Sequence, residues 1–177
     1  HETSSVAIPN LQVTEVDLPP EVSLQSGDSF TYAFTVTNVG SADIATASWS
    51  DRLVLSANLV FGDADDTEIG VFVRNGGLAM GASYTVTGTA ELPAGAVGGY
   101  HLIARTDIAN QVDEVILEND NTSATESTFP VTLAPYPNLV VQNLAVTGPV
   151  DDVFSLAWDL ANTGNLGAPA GFKERVR

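Results

Sequence analysis

Cysteine is absent from this 177-residue sequence, so no disulfide can staple the fold and no thiolate can act as nucleophile or metal ligand. Lysine is reduced to one residue, Lys173, which excludes a lysine-based cross-link within the first 133 residues. Basic side chains number 6 against 22 acids, a formal net charge of −16. Nucleic acid, whose phosphates demand Lys and Arg, is thereby excluded as a partner, and anionic membrane surfaces with it. No apolar run approaches the roughly 18 residues of a membrane helix, so insertion of that kind is not expected. Inside the chain, His101 stands alone between Tyr100 and Leu102, with no second histidine at metal-binding spacing and no nucleophile motif. Amphipathic helical periodicity is missing too. With no catalytic constellation in view, the chain reads as a non-enzyme.

What is present alternates with period two, the signature of strands. Phe30, Tyr32, Phe34 and Val36 share one face of a run whose other face is Thr31, Ala33, Thr35 and Thr37. Tyr84 and Val86 alternate with Ser83, Thr85 and Thr87, and Phe129 and Val131 with Thr128, Pro130 and Thr132. Strands are expected over 10–18, 29–38, 48–56, 67–74, 83–92, 99–107 and 124–133. Turn residues separate them at Ser26-Gly27-Asp28, Asn38-Val39-Gly40, Asn75-Gly76-Gly77 and Pro93-Ala94-Gly95. Seven short strands at this spacing predict an all-β, antiparallel sandwich. Trp49 and Trp158 fall among core positions, and Asp51-Arg52 reads as a structural pair.

The sequence also repeats itself in order. Pro9-Asn10-Leu11-Gln12-Val13 returns as Pro137-Asn138-Leu139-Val140-Val141, and Phe30 to Gly40 as Phe154 to Gly164. Trp49-Ser50-Asp51-Arg52-Leu53 returns as Phe172-Lys173-Glu174-Arg175-Val176, the offset drifting only from 128 to 123. A period this long is a whole domain, not a solenoid unit. The expected organisation is an extension over 1–8, a sandwich over 9–133, a linker over 134–136 stiffened by proline, and a partial second repeat over 137–177.

Those repeated segments carry a family resemblance. Pro9-Asn10-Leu11, Thr37-Asn38-Val39-Gly40, Trp49 to Ser56, Asp63-Ala64-Asp65-Asp66, Leu78 to Tyr84 and Glu118-Asn119-Asp120-Asn121 together resemble the CARDB domain, the cell-adhesion-related domain of bacteria. The resemblance spans residues 9–133 and resumes at 137. It implies an Ig-like or fibronectin-III-like sandwich, repeated in large secreted or surface-anchored proteins, with a role in adhesion or spacing. Extracellular or cell-surface placement follows from the same resemblance.

Two acidic segments are candidate metal ligands. Asp63, Asp65, Asp66 and Glu68 place four carboxylates in six residues. Such a run is either a solvated turn or a loop for Ca²⁺, which takes six to eight oxygens in flexible geometry. The second segment, 107–121, offers Asp107, Asn110, Glu114, Glu118, Asn119 and Asn121 on one long crossover between strands. Asn and Asp also serve plain turn chemistry, so both readings stand there. Calcium is the candidate cofactor, taking over the stapling role that disulfides cannot play.

The leading functional expectation is a non-catalytic adhesion or spacer module, partnered by neighbouring repeats of its own chain. One alternative is a filament subunit that self-associates through the unpaired edges of 137–177. Another is a carbohydrate-binding accessory domain, which requires exposed aromatics on one face.

Overall fold

A computed structural model describes residues 6–20, 23–45, 48–150, 153–171 and 173. The chain divides into two compact units, His1–Leu133 and Ala134–Arg177.

In the first unit β1 (Leu11–Val16), β3 (Ser29–Asn38) and β6 (Ser83–Glu91) form one sheet in the order β1-β3-β6. The second sheet runs β2 (Leu24–Gln25), β9 (Phe129–Thr132), β7 (Gly98–Arg105), β4 (Ser48–Ser56), β5 (Thr67–Asn75), with β8 (Thr122–Ala124) also on β7. The alternation seen in the sequence decides which face each strand buries. Phe30, Phe34 and Val36 from β3 meet Trp49, Leu53 and Leu55 from β4, Leu102 and Ala104 from β7, and Phe129 and Val131 from β9. Phe72 of β5 stacks against Tyr32 and Phe34 at tilted ring geometry, closing the core on that side. The outer face of β1-β3-β6 is a ladder of hydroxyls, with Thr14–Thr37, Thr35–Thr85 and Thr37–Ser83 contacts all at 2.9 Å.

The all-β sandwich matches expectation, and six of the seven expected strands lie where the periodicity puts them. The last, expected as one strand over 124–133, is two. Residues 125–128 lie opposite only His101 and Leu102 of β7, because β7 pairs β8 through Ile103↔Ala124 and β9 through Tyr100↔Phe129. Two surplus residues must leave the ladder, and the strand breaks. Thr125 holds the break: its amide donates to Leu102 O at 2.9 Å and its hydroxyl oxygen accepts from Leu102 N at 3.3 Å. The two-residue β2 pairs β9 in parallel, a pairing that alternation over two residues cannot disclose.

The repeated Pro-Asn-Leu and Asn-X-Gly segments meet in space. Asn38 is fully buried, and its Oδ1 accepts from Asn10 N and Gly40 N, each at 3.2 Å. Its Nδ2 donates to Ala42 O at 2.8 Å and Leu78 O at 3.2 Å. Gly40 must be glycine, because a Cβ there would collide with the backbone of Ile8, Pro9 and Asn10.

The second unit is an antiparallel hairpin, β10 (Leu139–Val150) with β11 (Val153–Asn162), registered Leu139↔Asn162 as β1 and β3 are registered Leu11↔Asn38. It rebuilds the same knot. Asn162 Oδ1 accepts from Asn138 N at 2.9 Å and Gly164 N at 3.0 Å, and its Nδ2 donates to Leu166 O at 2.7 Å. A Cβ on Gly164 would likewise collide with the backbone of Tyr136, Pro137 and Asn138. The third repeated block, Phe172 to Val176, lies outside the described residues apart from Lys173.

Candidate metal centre

The loop between β4 and β5 gathers Asp63, Asp65 and Asp66, each with one carboxyl oxygen within 4.8 Å of the others'. The loop spends most of them on its own donors. Asp65 Oδ2 accepts from Ala57 N at 2.9 Å and Ser56 Oγ at 3.2 Å, and Asn58 Nδ2 bridges Asp63 and Asp65 at 2.9 and 2.8 Å. Asp66 Oδ2 accepts from Gly62 N at 2.6 Å, leaving its Oδ1 over. Glu68 pairs with Arg52 at 3.2 Å, an exposed contact worth little. Asp63 and Asp65 are exposed, and water can solvate them.

The crossover from β7 to β8 is different. Asp107 opens it at φ 44°, and Asn110 and Val115 also take positive φ, at 49° and 61°. Asp107 spends both carboxyl oxygens on the turn, accepting from Gln111 N and Val112 N at 2.8 Å each. Val112 then plugs into the core. Asp107 is therefore the cap that shapes the loop, and Asn110 and Asn119 are exposed turn residues.

Glu114, two residues beyond Val112, is carried inward by that plug and is fully buried. Its Oε1 accepts from Leu11 N of β1 at 2.5 Å, and its own amide donates to Glu118 Oε1 at 3.0 Å. Burial pushes its carboxyl up to about 7; the Leu11 amide and Asn121 pull it back down, while the charges of Glu118 and Asp107 add to the rise. Asp120 Oδ2 accepts from Asn10 Nδ2 at 3.1 Å and Gln12 Nε2 at 2.5 Å. Glu114 is the candidate ligand bonded directly to β1, Asp120 beside it bonds Asn10 and Gln12, and none of the crossover's residues joins the Asp63, Asp65 and Asp66 group.

Sequence reasoning passed over Asn10, Gln12 and Asp120. Asp120 lay inside the flagged run. Asn10 and Gln12 lie about a hundred residues earlier, and the only sign of them was the repeated Pro-Asn-Leu motif.

A third buried polar group holds the two sheets together. Asp51 of β4 is fully buried and accepts from Tyr84 Oη at 2.5 Å, Thr106 Oγ1 at 2.6 Å and Asp107 N at 3.3 Å. Trp49 Nε1 donates to Tyr84 Oη at 2.9 Å, and the Arg74 guanidinium lies over the Tyr84 ring at 4.9 Å. Burial raises the Asp51 carboxyl, against the three donors that lower it. The side-chain oxygens of Asp51, Tyr84 and Thr106 and Trp49 Nε1 are all paired with one another, so the network is structural. Trp49 is core, as its alternation implied, and offers no sugar platform. His101 Nδ1 lies 3.1 Å from Thr125 O and is spent on the strand break.

Burial first, and then the Asp51 charge, also raise the Tyr84 phenol far above its ordinary range. An unfolded tyrosine ionises near pH 10, while folded Tyr84 keeps its proton. The unfolded state then binds fewer protons, so stability falls as pH rises above about 10. Tyr84→Phe is expected to flatten that alkaline slope. The tyrosinate absorbance difference between wild type and Y84F should stay at zero until the protein unfolds; a smooth titration in the folded state would contradict it.

The CARDB family model matches residues 8–125 of this chain. Among solved structures, the crystal structure of a CARDB domain from Pyrococcus furiosus, in complex with di-metal ions, aligns with a TM-score of 0.54 at 20% identity. It covers 74% of this chain and 100% of that one. The solution structure of the same domain gives 0.51 at 19% identity, covering 73% and 100%. A β-glucosidase from Erythrobacter marinus reaches 0.47 at 12% identity over 70% of this chain and 16% of its own, and carries no argument. No match was found among curated protein sequences.

Proposed function

The chain belongs to the CARDB family, and from that premise we propose that it is a non-catalytic extracellular adhesion and spacer module that works by tandem repetition, stiffened by a hard divalent cation such as calcium. The observation that carries the reading is the duplicated knot. Asn38 with Asn10 and Gly40, and Asn162 with Asn138 and Gly164, make the same hydrogen bonds on hairpins of the same register. Two units built on one plan in one chain favour a function gained by stacking copies end to end.

The cation is supported by the acidity of residues 1–133, which hold 18 acids and 3 bases, and by the metal-bound relative. The filament alternative keeps one specific observation. Leu139 is 39% exposed where its counterpart Leu11 is 0%, and Phe154 is 62% exposed where Phe30 is 0%. An apolar hairpin face of that kind invites a partner sheet.

Stretching the tethered chain between its ends tests the spacer reading. The first unit is expected to unfold in one cooperative step that releases roughly 40 nm of contour length. Gradual lengthening at low force would contradict it. Sedimentation over a wide concentration range tests the filament alternative, which a strictly monomeric species would end.

A further inference from the structure

Five oxygens in the first unit share an unusual condition. Glu114 gives Oε1 to Leu11 N, and its Oε2 has no hydrogen-bond partner. Glu118 gives Oε1 to Glu114 N and leaves Oε2 without one. Asp120 gives Oδ2 to Asn10 and Gln12 and leaves Oδ1. Asn10 uses Nδ2 on Asp120 and leaves Oδ1, and Asn121, whose amide lowers the Glu114 carboxyl, leaves Oδ1. Glu114, Asn121 and Asn10 are 0%, 1% and 6% exposed, so water does not make up the deficit from bulk. Buried polar atoms in folded proteins are paired as a rule, and a cluster of exceptions calls for a missing partner.

A cation is the partner that would serve all five oxygens at once. Three of the five side chains are carboxylates, Glu114 fully buried and Glu118 and Asp120 half-buried, and a carboxylate taken out of water gains from a counter-charge. The donor set is oxygen only, which fits a hard cation and not a thiolate- or imidazole-seeking metal. Mixed carboxylate and carboxamide oxygens from a flexible loop suit Ca²⁺ better than Mg²⁺, which insists on tight octahedral geometry and its own waters.

We propose that Asn10, Glu114, Glu118, Asp120 and Asn121 form a calcium site that clamps β1 to the β7–β8 crossover. This rests on the cation reading above and names its place. It moves the site away from Asp63, Asp65 and Asp66, whose oxygens are closer together but mostly spent on the loop's own donors. The carboxyl oxygens of Glu114, Glu118 and Asp120 do not lie as close together as those three. Its consequence is mechanical. Among the described residues β1 sits at the edge of the three-stranded sheet, paired with β3, and the clamp would reinforce the hydrogen bonds it receives from the crossover.

The test is calcium chloride titrated into the full chain after chelation, read by calorimetry and by thermal melting. Wild type should bind calcium and melt roughly 5 °C or more higher at saturation. Glu114→Gln and Asp120→Asn should each weaken binding about tenfold or more. Both variants keep an oxygen for Leu11 N or for Asn10 and Gln12, so they should fold, which far-UV circular dichroism checks. Asp63→Asn with Asp65→Asn should leave affinity unchanged. If that double variant abolishes binding while E114Q and D120N bind normally, the clamp is wrong and the cation reading survives at the other loop. If wild type binds no calcium, both fall.

Discussion

Replacing Asn38 by alanine is expected to cost the first unit about 3 kcal/mol or more. The side chain satisfies two amides and two carbonyls at once, those of Asn10, Gly40, Ala42 and Leu78. Removing it takes the partner from the Asn10 and Gly40 amides and from Ala42 O, while Leu78 O keeps the Ile44 amide at 2.9 Å. Each buried orphan costs about 1–3 kcal/mol, with water relieving those nearest the surface. Gly40 runs so close to the Ile8–Asn10 backbone that a Cβ there would collide with it, which keeps the site tight. Urea denaturation of N38A against wild type measures the loss. Ser83→Ala, which removes one exposed hydroxyl contact, is the control and should move stability by no more than about 0.5 kcal/mol. An N38A cost as small as the control's would mean that the knot is incidental.

Asp51→Ala is expected to cost a similar amount, about 3–4 kcal/mol, with a fall in melting temperature of roughly 10 °C or more. The variant strands the Tyr84 and Thr106 hydroxyls and the Asp107 amide between the sheets, and it leaves a cavity beside Trp49. Asp51→Asn separates charge from shape. Its Oδ1 can still accept from Thr106 and the Asp107 amide, but its Nδ2 replaces the oxygen that accepts from Tyr84. D51N should therefore fall between wild type and D51A. The three proteins' melting curves decide the matter. Equal stability for D51A and wild type would show that burying the carboxylate costs as much as its three donors return.

The strands were legible because each has one face in the core, so period two is written over nine or ten residues in β3, β4, β5 and β6. Trp49 could be placed inside by the same argument. The broken last strand was not legible, because the break depends on counting residues against β7, a partner more than twenty positions away. Asp51 could be read as structural, but its partners could not, since Tyr84 and Thr106 come from other elements. The crossover was legible as an acidic, turn-rich segment. The division of labour within it was not: Asp107 and Glu114 look alike in the sequence and both are buried, yet one caps the turn at Gln111 and Val112 and the other reaches the Leu11 amide of β1. Asn10 joined the cluster through the fold alone, although its motif had already been marked by repetition.

Everything proposed about function depends on the second unit being built on the plan of the first. Replacing residues 9–40 by residues 137–164 tests this most directly. The replacement carries Asn138 and Gly164 into the positions of Asn10 and Gly40, and Leu139 and Phe154 into those of Leu11 and Phe30. If the units are repeats, the hybrid unfolds in a single cooperative transition with ordered near-ultraviolet dichroism, because β4 and β7 cover the apolar face that is exposed in the second unit. A hybrid that binds hydrophobic dye and melts without a transition would contradict the account.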